Sequence, residues 1–431
     1  MDDKVVEEDE TVIATLSNQT NSTLGTNKTH TYTIANDDSP PADFTVGTVI
    51  ATGGTVRLGY WNSTNTGLRA DIPVANTDDL VGGTIQLRAK KGVLSYENLS
   101  DPYTIIGSDK NTTKKITTTT AAQFEAITGF KENEVITVTA VITDKYGNST
   151  TGTASANTLS IDQTLPDDTP VVGAITTSGG NVVANYWNST NSSVNAVVDF
   201  KEDDPTLENG EILLTVSDDN ITFYDFGDTT AITGAIFNVG THTVSVDSVI
   251  AGTKKGLEEV AIFGEGDKLY FRAKVLDRAG NEVQYAVSTT ILTVKQDLPT
   301  VSSVTSTNDN KAYKAGEDLT IQVIMSETVN VNTGGVPRLT LETGGTDAVA
   351  TYTSGSASNT LAFTYSIASP HTSDDLNYFS KNALSVAGNN HVRDDYGNPI
   401  DPTLPDLDLS LIHISEPTRP RLISYAVFCL K

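Results

Sequence analysis

The sequence predicts an all-β protein built as a row of consecutive, separately cored modules, and three observations carry that expectation. Val, Ile, Thr and Tyr alternate with polar residues in short runs bounded by Gly, Asn and Asp clusters, whereas long helical patterns are scarce. The stretch Gly53–Val74 (GGTVRLGYWNSTNTGLRADIPV) recurs at Gly179–Phe200 (GGNVVANYWNSTNSSVNAVVDF), an offset of 126 residues. A D-x-x-G-N mark then recurs three times, at Asp144–Asn148, Asp277–Asn281 and Asp394–Asn398.

The chain opens on an acidic run, DDKVVEEDE, with no apolar leader after Met1, which reads as the edge of an incomplete gene. Val12, Ala14 and Leu16 alternate, as do Tyr32 and Ile34, which predicts two strands paired as a hairpin. An isolated hairpin is marginal in water, so residues 1–41 are expected to belong to a larger sheet.

The first module is placed at 42–166. In it Tyr60-Trp61-Asn62-Ser63-Thr64-Asn65 holds one of the only two tryptophans, and the second module (167–299) repeats the hexapeptide at Tyr186–Asn191 around Trp187. A repeated Trp can serve as a sugar-stacking platform or as a packing anchor, and packing is the expected role in a β-module. Before the D-x-x-G-N marks, Ile136, Val138, Ala140 and Ile142 share one face of a strand, as do Leu269, Phe271, Ala273 and Val275. The marks read as hairpin turns, with Asp capping the turn and Gly in the left-handed region, in preference to calcium ligation by Asp144, Asp277 and Asp394.

The junctions are DQTLPDDTP (Asp162–Pro170) and QDLPT (Gln296–Thr300), where Pro stops pairing across the link. The third module (300–408) is of a related but divergent type, with Leu319, Ile321 and Val323 on one strand face and Leu361, Phe363, Tyr365 and Ile367 on another. The pairs Asp78/Asp79, Asp167/Asp168, Asp203/Asp204 and Asp374/Asp375 read as solvated loop acids. Asn-x-Ser/Thr triplets, including those at Asn62 and Asn188, matter only in a glycosylating host.

Residues Leu409–Lys431 are set apart. Read back into codons, LSLIHISEPTR and ISYAVFCL reproduce the two constant blocks of a transposase-type sequencing adapter, with Pro420, Arg421 and Leu422 where the variable index falls. This tail holds the only cysteine, Cys429, and is treated as non-native and disordered. The full chain carries a net charge of −26; without the tail, 25 basic and 53 acidic residues leave −28. That balance argues against a nucleic-acid partner and suits a surface that recruits cations. No apolar run is long enough to span a bilayer.

Together the modules resemble the Ig-like β-sandwich repeats that bacteria string along large secreted and surface proteins, a resemblance that covers Asp43–Asp408. It implies tandem Ig-like β-sandwich domains arranged as beads on a string. The acidic start resembles the C-terminal part of a Calx-beta domain, whose last two strands lie between calcium-binding clusters. By that resemblance Asp2, Asp3, Glu7, Glu10, Asp37 and Asp38 take the ligand role, while Lys4 and Asn36 depart from the acidic pattern and should weaken binding. The resemblance implies an incomplete domain, whose N-terminal strands are expected to precede Met1.

No nucleophile elbow, HExxH, P-loop or GxGxxG occurs, and His30, His242, His371 and His391 are too scattered to suggest a triad or zinc site. The expected function is therefore a non-enzymatic, extracellular structural or adhesive segment of a bacterial surface or secreted repeat protein, stabilised by calcium. Cell-surface glycans or other surface proteins are the expected partners. The alternatives are the accessory stalk or carbohydrate-binding region of a secreted multidomain enzyme and a Calx-beta-type calcium sensor.

Overall fold

Strands that alternate apolar and polar residues must put one face against another apolar face, and in the computed structural model they do so in three separate cores. The structure describes residues 4–18, 20–34, 38–167, 170–201, 204–252, 254–309, 311–332, 334–386, 388 and 391–406, with the backbone of 412–414. The first core runs from Val46 to Ile161, the second from Val172 to Val294 and the third from Val301 to Leu404, and no residue belongs to two of them. The chain is all-β, a tandem array of separately cored β-modules.

Module 1 packs a sheet of Val49–Thr52, Gly67–Val74 and Thr112–Thr120 against one centred on Val135–Thr143 and Thr84–Lys91. Ile136, Val138, Ala140 and Ile142 all lie in its core, as the period of two requires. Module 2 repeats the plan, with Ser193–Asp199 central in one sheet and Lys268–Leu276 paired to Glu211–Ser217 in the other. In both modules the Trp strand is an edge that pairs in parallel with the last strand: Tyr60–Trp61 with Leu159–Ile161, and Tyr186–Asn188 with Leu292–Lys295.

Module 3 departs from two separate sheets. Eight of its strands and the tail strand Ile412–Ile414 form one connected nine-stranded sheet, because Ala348–Ser354 pairs with both Arg338–Glu342 and Ser358–Ser366, while Asp318–Val331 is long enough to pair at both its ends. The first half of Asp318–Val331 pairs with Val301–Ser306 and Ser358–Ser366, and its end pairs with Val392–Arg393, with a register break between Ile324 and Val329. A bend at such a break lets a strand pass from one layer to the other.

The N-terminal hairpin pairs Glu10–Thr15 with Thr29–Ile34 in the register Glu10↔Ile34 through Thr15↔Thr29. It joins no other strand among the described residues, and both its faces, including Val12, Ile13, Tyr32 and Ile34, are exposed. The tail differs from the expectation of disorder at one place: Ile412–Ile414 adds to the edge strand Ser373–Tyr378. An open sheet edge offers unpaired N–H and C=O groups to any short extended segment, which accounts for pairing without a matching side-chain pattern. The rest of Leu409–Lys431 lies outside the described residues.

Candidate functional site at the module joints

The hairpin turns form as the sequence predicts. In each, the Asp Oδ1 accepts from two backbone N–H groups: Tyr146 and Asn148 for Asp144, Ala279 and Asn281 for Asp277, and Tyr396 and Asn398 for Asp394, at 2.8–2.9 Å. The glycines sit at φ of 103° (Gly147), 91° (Gly280) and 96° (Gly397), where a side chain is resisted. The final Asn closes the turn through its Nδ2 to the Asp Oδ2 at 2.9–3.0 Å.

That Asn has a second task, which pattern reading missed. Its amide reaches out of its own module to the segment in front. Asn281 Nδ2 donates to the Asp162 carbonyl at 2.9 Å and its Oδ1 accepts from Ser63 N at 3.1 Å. Asn398 makes the same pair with the Lys295 carbonyl (2.9 Å) and Ser189 N (2.8 Å). Asn148 does so with the Lys4 carbonyl (2.7 Å) and Val6 N (2.8 Å) of the N-terminal segment. One turn type therefore seats three successive pieces of chain by the same two bonds.

The receiving surface is the Y-W-N-S-T-N loop. Asn62 Nδ2 donates to Thr55 and Ala279 carbonyls, both at 2.6 Å, and Asn188 Nδ2 to those of Asn181 (2.6 Å) and Tyr396 (2.8 Å). Ala279 and Tyr396 belong to the following module, so each buried Asn bridges the joint with both hydrogens of its amide. Asn62 and Asn188 are 1% and 0% exposed, which excludes them as accessible glycosylation acceptors in the docked state. The loop itself is braced from behind. Trp61 and Trp187 are fully buried, as expected of packing anchors, and each indole N–H donates to a glutamate, Glu125 (3.1 Å) and Glu258 (2.9 Å). Gln163 and Gln296, at the linker starts, donate to the same two carboxylates.

The two joints between complete modules carry different charge. The linker residue whose carbonyl is bound is Asp162 in LSIDQ and Lys295 in LTVKQ. Lys295 Nζ pairs with Glu265 at 3.0 Å. This bond, followed by the charge of Glu265, raises the Lys295 pKa. Burial works to raise that of Glu265, but the Gln296 N–H and the Lys295 ammonium bring it below the usual range. At the first joint Glu132 occupies the matching place, accepting from Gln163 N (2.9 Å) as Glu265 does from Gln296 N (2.6 Å). No lysine meets it. Asp162 is 3% exposed, and its Oδ2 is buried with no hydrogen-bond donor. Burial, the Asp277 charge and Glu132 push the Asp162 pKa up to about 7, against Arg278. Burial also pushes Asp277 up, against the turn's own N–H groups. Across the same joint Arg57 and Glu211 form a bidentate pair at 2.8 Å.

Of the residues assigned a calcium-ligand role by resemblance, Asp2, Asp3 and Asp37 lie outside the described residues. Glu7 and Glu10 are exposed. Asp38 is held by Lys4, through its N–H at 3.2 Å and its ammonium at 3.5 Å. A calcium shell takes roughly six to eight oxygens, and among the described residues no three His, Cys, Asp or Glu side chains converge as metal ligands. Glu7, Glu10 and Asp38 thus do not by themselves form a shell. The loop acids are engaged locally: Asp78 with Lys110, Asp79 with Lys145 at 3.0 Å, Asp167 with Lys201, and Asp204 with Thr206 N at 3.0 Å. Asp374 and Asp375 lie exposed on Ser373–Tyr378, while Asp168 and Asp203 lie outside the described residues.

No family model matches the chain, and no curated protein matches it in sequence. Among solved structures it resembles the crystal structure of chicken CNTN1 FN1–FN3 domains, at 8% identity, covering 81% of this chain and 97% of that one with a TM-score of 0.19. A superposition this loose carries no argument, and the fold rests on the strand pairings above.

Proposed function

We propose that the chain is a non-enzymatic structural or adhesive segment of a bacterial extracellular repeat protein, in which seated joints hold successive modules in fixed relation so that the array works as a stalk. The observation that carries this reading is the threefold use of the D-x-x-G-N asparagine, each time bonding a carbonyl and an N–H of the preceding segment. Buried polar groups are costly unless paired, so such an arrangement favours one seated geometry over a freely swinging link. The negative chain, with pI about 4.4, suits a solvated surface role.

Calcium enters the proposal from the acidic clusters that resemble a Calx-beta domain, with Asp2, Asp3, Glu7, Glu10, Asp37 and Asp38 as the ligand set. The grip of Lys4 on Asp38 lowers the affinity expected there. The test combines small-angle scattering and melting on the full chain. Asn281→Ala with Asn398→Ala should broaden the distribution of maximum dimensions while each module still melts cooperatively. An unchanged distribution would remove the stalk reading. A chelator should lower a melting transition of the unmutated chain, and identical melts with and without it would remove calcium.

A further inference from the structure

We propose that the first joint is a proton-binding site, at which Asp162 takes up a proton when module 2 is seated, so that this joint loosens as pH rises and the second far less. The inference rests on the reading of the joints as the working part of the chain and adds their regulation.

The Asp162 carboxyl, 3% exposed, supplies the geometry. Asp162 Oδ2 is buried without a donor, and its Oδ1 receives only a long contact from Asn281 Nδ2 at 3.4 Å. Glu132, one of the negative groups that raise Asp162, has its Oε2 held by the N–H of Gln163, the next residue along the chain. A carboxyl buried among other negative groups with no donor to its oxygen is favoured in its protonated form. The second joint shows the same place with its positive charge built in, since Lys295 meets Glu265.

Docking creates the site. The bond from Asn281 and the turn of module 2 cover Asp162, and Asp277 adds a negative charge while Arg278 opposes it. Arg57 and Glu211 satisfy each other nearby, and Glu125 holds Trp61 and Gln163. A carboxyl whose value is higher docked than undocked takes up a proton on docking. Its support is therefore complete below its ordinary value of about 4 and falls as pH climbs to about 7. Within that window the docking constant should drop by up to about tenfold per pH unit. At the second joint burial and Asp394 push Glu327 up, but Lys295 opposes them, so the response there should be smaller.

The experiment uses the full chain with Cys429→Ser, one dye pair per sample and chelator throughout. Dyes at Val93→Cys and Ile221→Cys report the first joint, and dyes at Ile221→Cys and Val349→Cys the second; all three sites are exposed. Between pH 5 and 8.5 the first pair should show a widening distance distribution. Asp162→Asn should hold that joint closed across the range, because an amide stays uncharged where the carboxyl ionises. A first joint that ignores pH although Asn281→Ala opens it would overturn the proton site and leave the joint reading standing. A first joint unmoved by Asn281→Ala at pH 5 would overturn the joint reading itself. A pH response that survives in Asp162→Asn, or one equally strong at the second joint, would also overturn the proposal.

Discussion

At the boundary between modules 1 and 2 the bound linker carbonyl belongs to Asp162, and between modules 2 and 3 it belongs to Lys295, yet the bonds from Asn281 and Asn398 differ by less than 0.1 Å. Backbone geometry is therefore held constant while the charge beside it is reversed. The bonds that place a module use main-chain atoms, which any residue supplies, so the side chain at that position is left to set the conditions under which the joint holds. The segment before module 1 sides with the second joint, presenting Lys4.

Breaking the anchor behind one joint should have the largest effect. Trp61→Ala or Trp187→Ala removes a fully buried indole and should cost about 3–5 kcal/mol in its own module. Because the cores share no residue, calorimetry should show one transition moving and the other modules holding. Joint lowering of all transitions would mean that the modules melt as one unit.

The glycines sharpen the contrast. A Cβ on Gly397 would lie 2.7 Å from Asn188 Nδ2, and one on Gly280 2.8 Å from Thr55 Cγ2, whereas one on Gly147 meets nothing within 4 Å. All three are left-handed, so Ala at any of them carries a strain of about 1–2 kcal/mol. Only Gly280→Ala and Gly397→Ala should also unseat a module, read as a changed distance across that joint in spin-label measurements. Equal behaviour of all three variants would reduce the glycines to turn chemistry.

The smallest effect belongs to the Arg57–Glu211 pair, which the second joint replaces with a bond from the Arg393 guanidinium to the uncharged Asn181 amide oxygen at 2.7 Å. Arg57→Ala should weaken the first joint by about 0.5–1 kcal/mol, the range of partly exposed pairs. Salt at 0.5 M should reproduce part of that loss at the first joint and little at the second.

Much of the fold could be read because strand periodicity is local. Leu269, Phe271, Ala273 and Val275 fall in the core as their spacing requires, and the turns at Gly147, Gly280 and Gly397 follow from residue type. The continuous sheet of module 3 was not legible, since it depends on Ala348–Ser354 pairing on both sides, with a register shift between Tyr352 and Ser354. The joint was hidden for a related reason. Asn62 and Asn188 are polar residues in a polar tract, and only the arrival of another module buries them. Two cues were present: the same hexapeptide around each Trp, and a terminal Asn in every turn beyond what capping by Asp and Gly demands. Setting LSIDQ beside LTVKQ would have displayed the charge reversal as well.

Module 2 carries a plug and a socket at once, since its Asn281 turn enters the loop of module 1 while its own Ser189 loop takes in the turn of module 3. Such a contact is heterologous and does not close on itself. A duplicated copy of module 2 would therefore arrive already able to couple at both ends, and the array could lengthen by copying alone, without the evolution of a new interface.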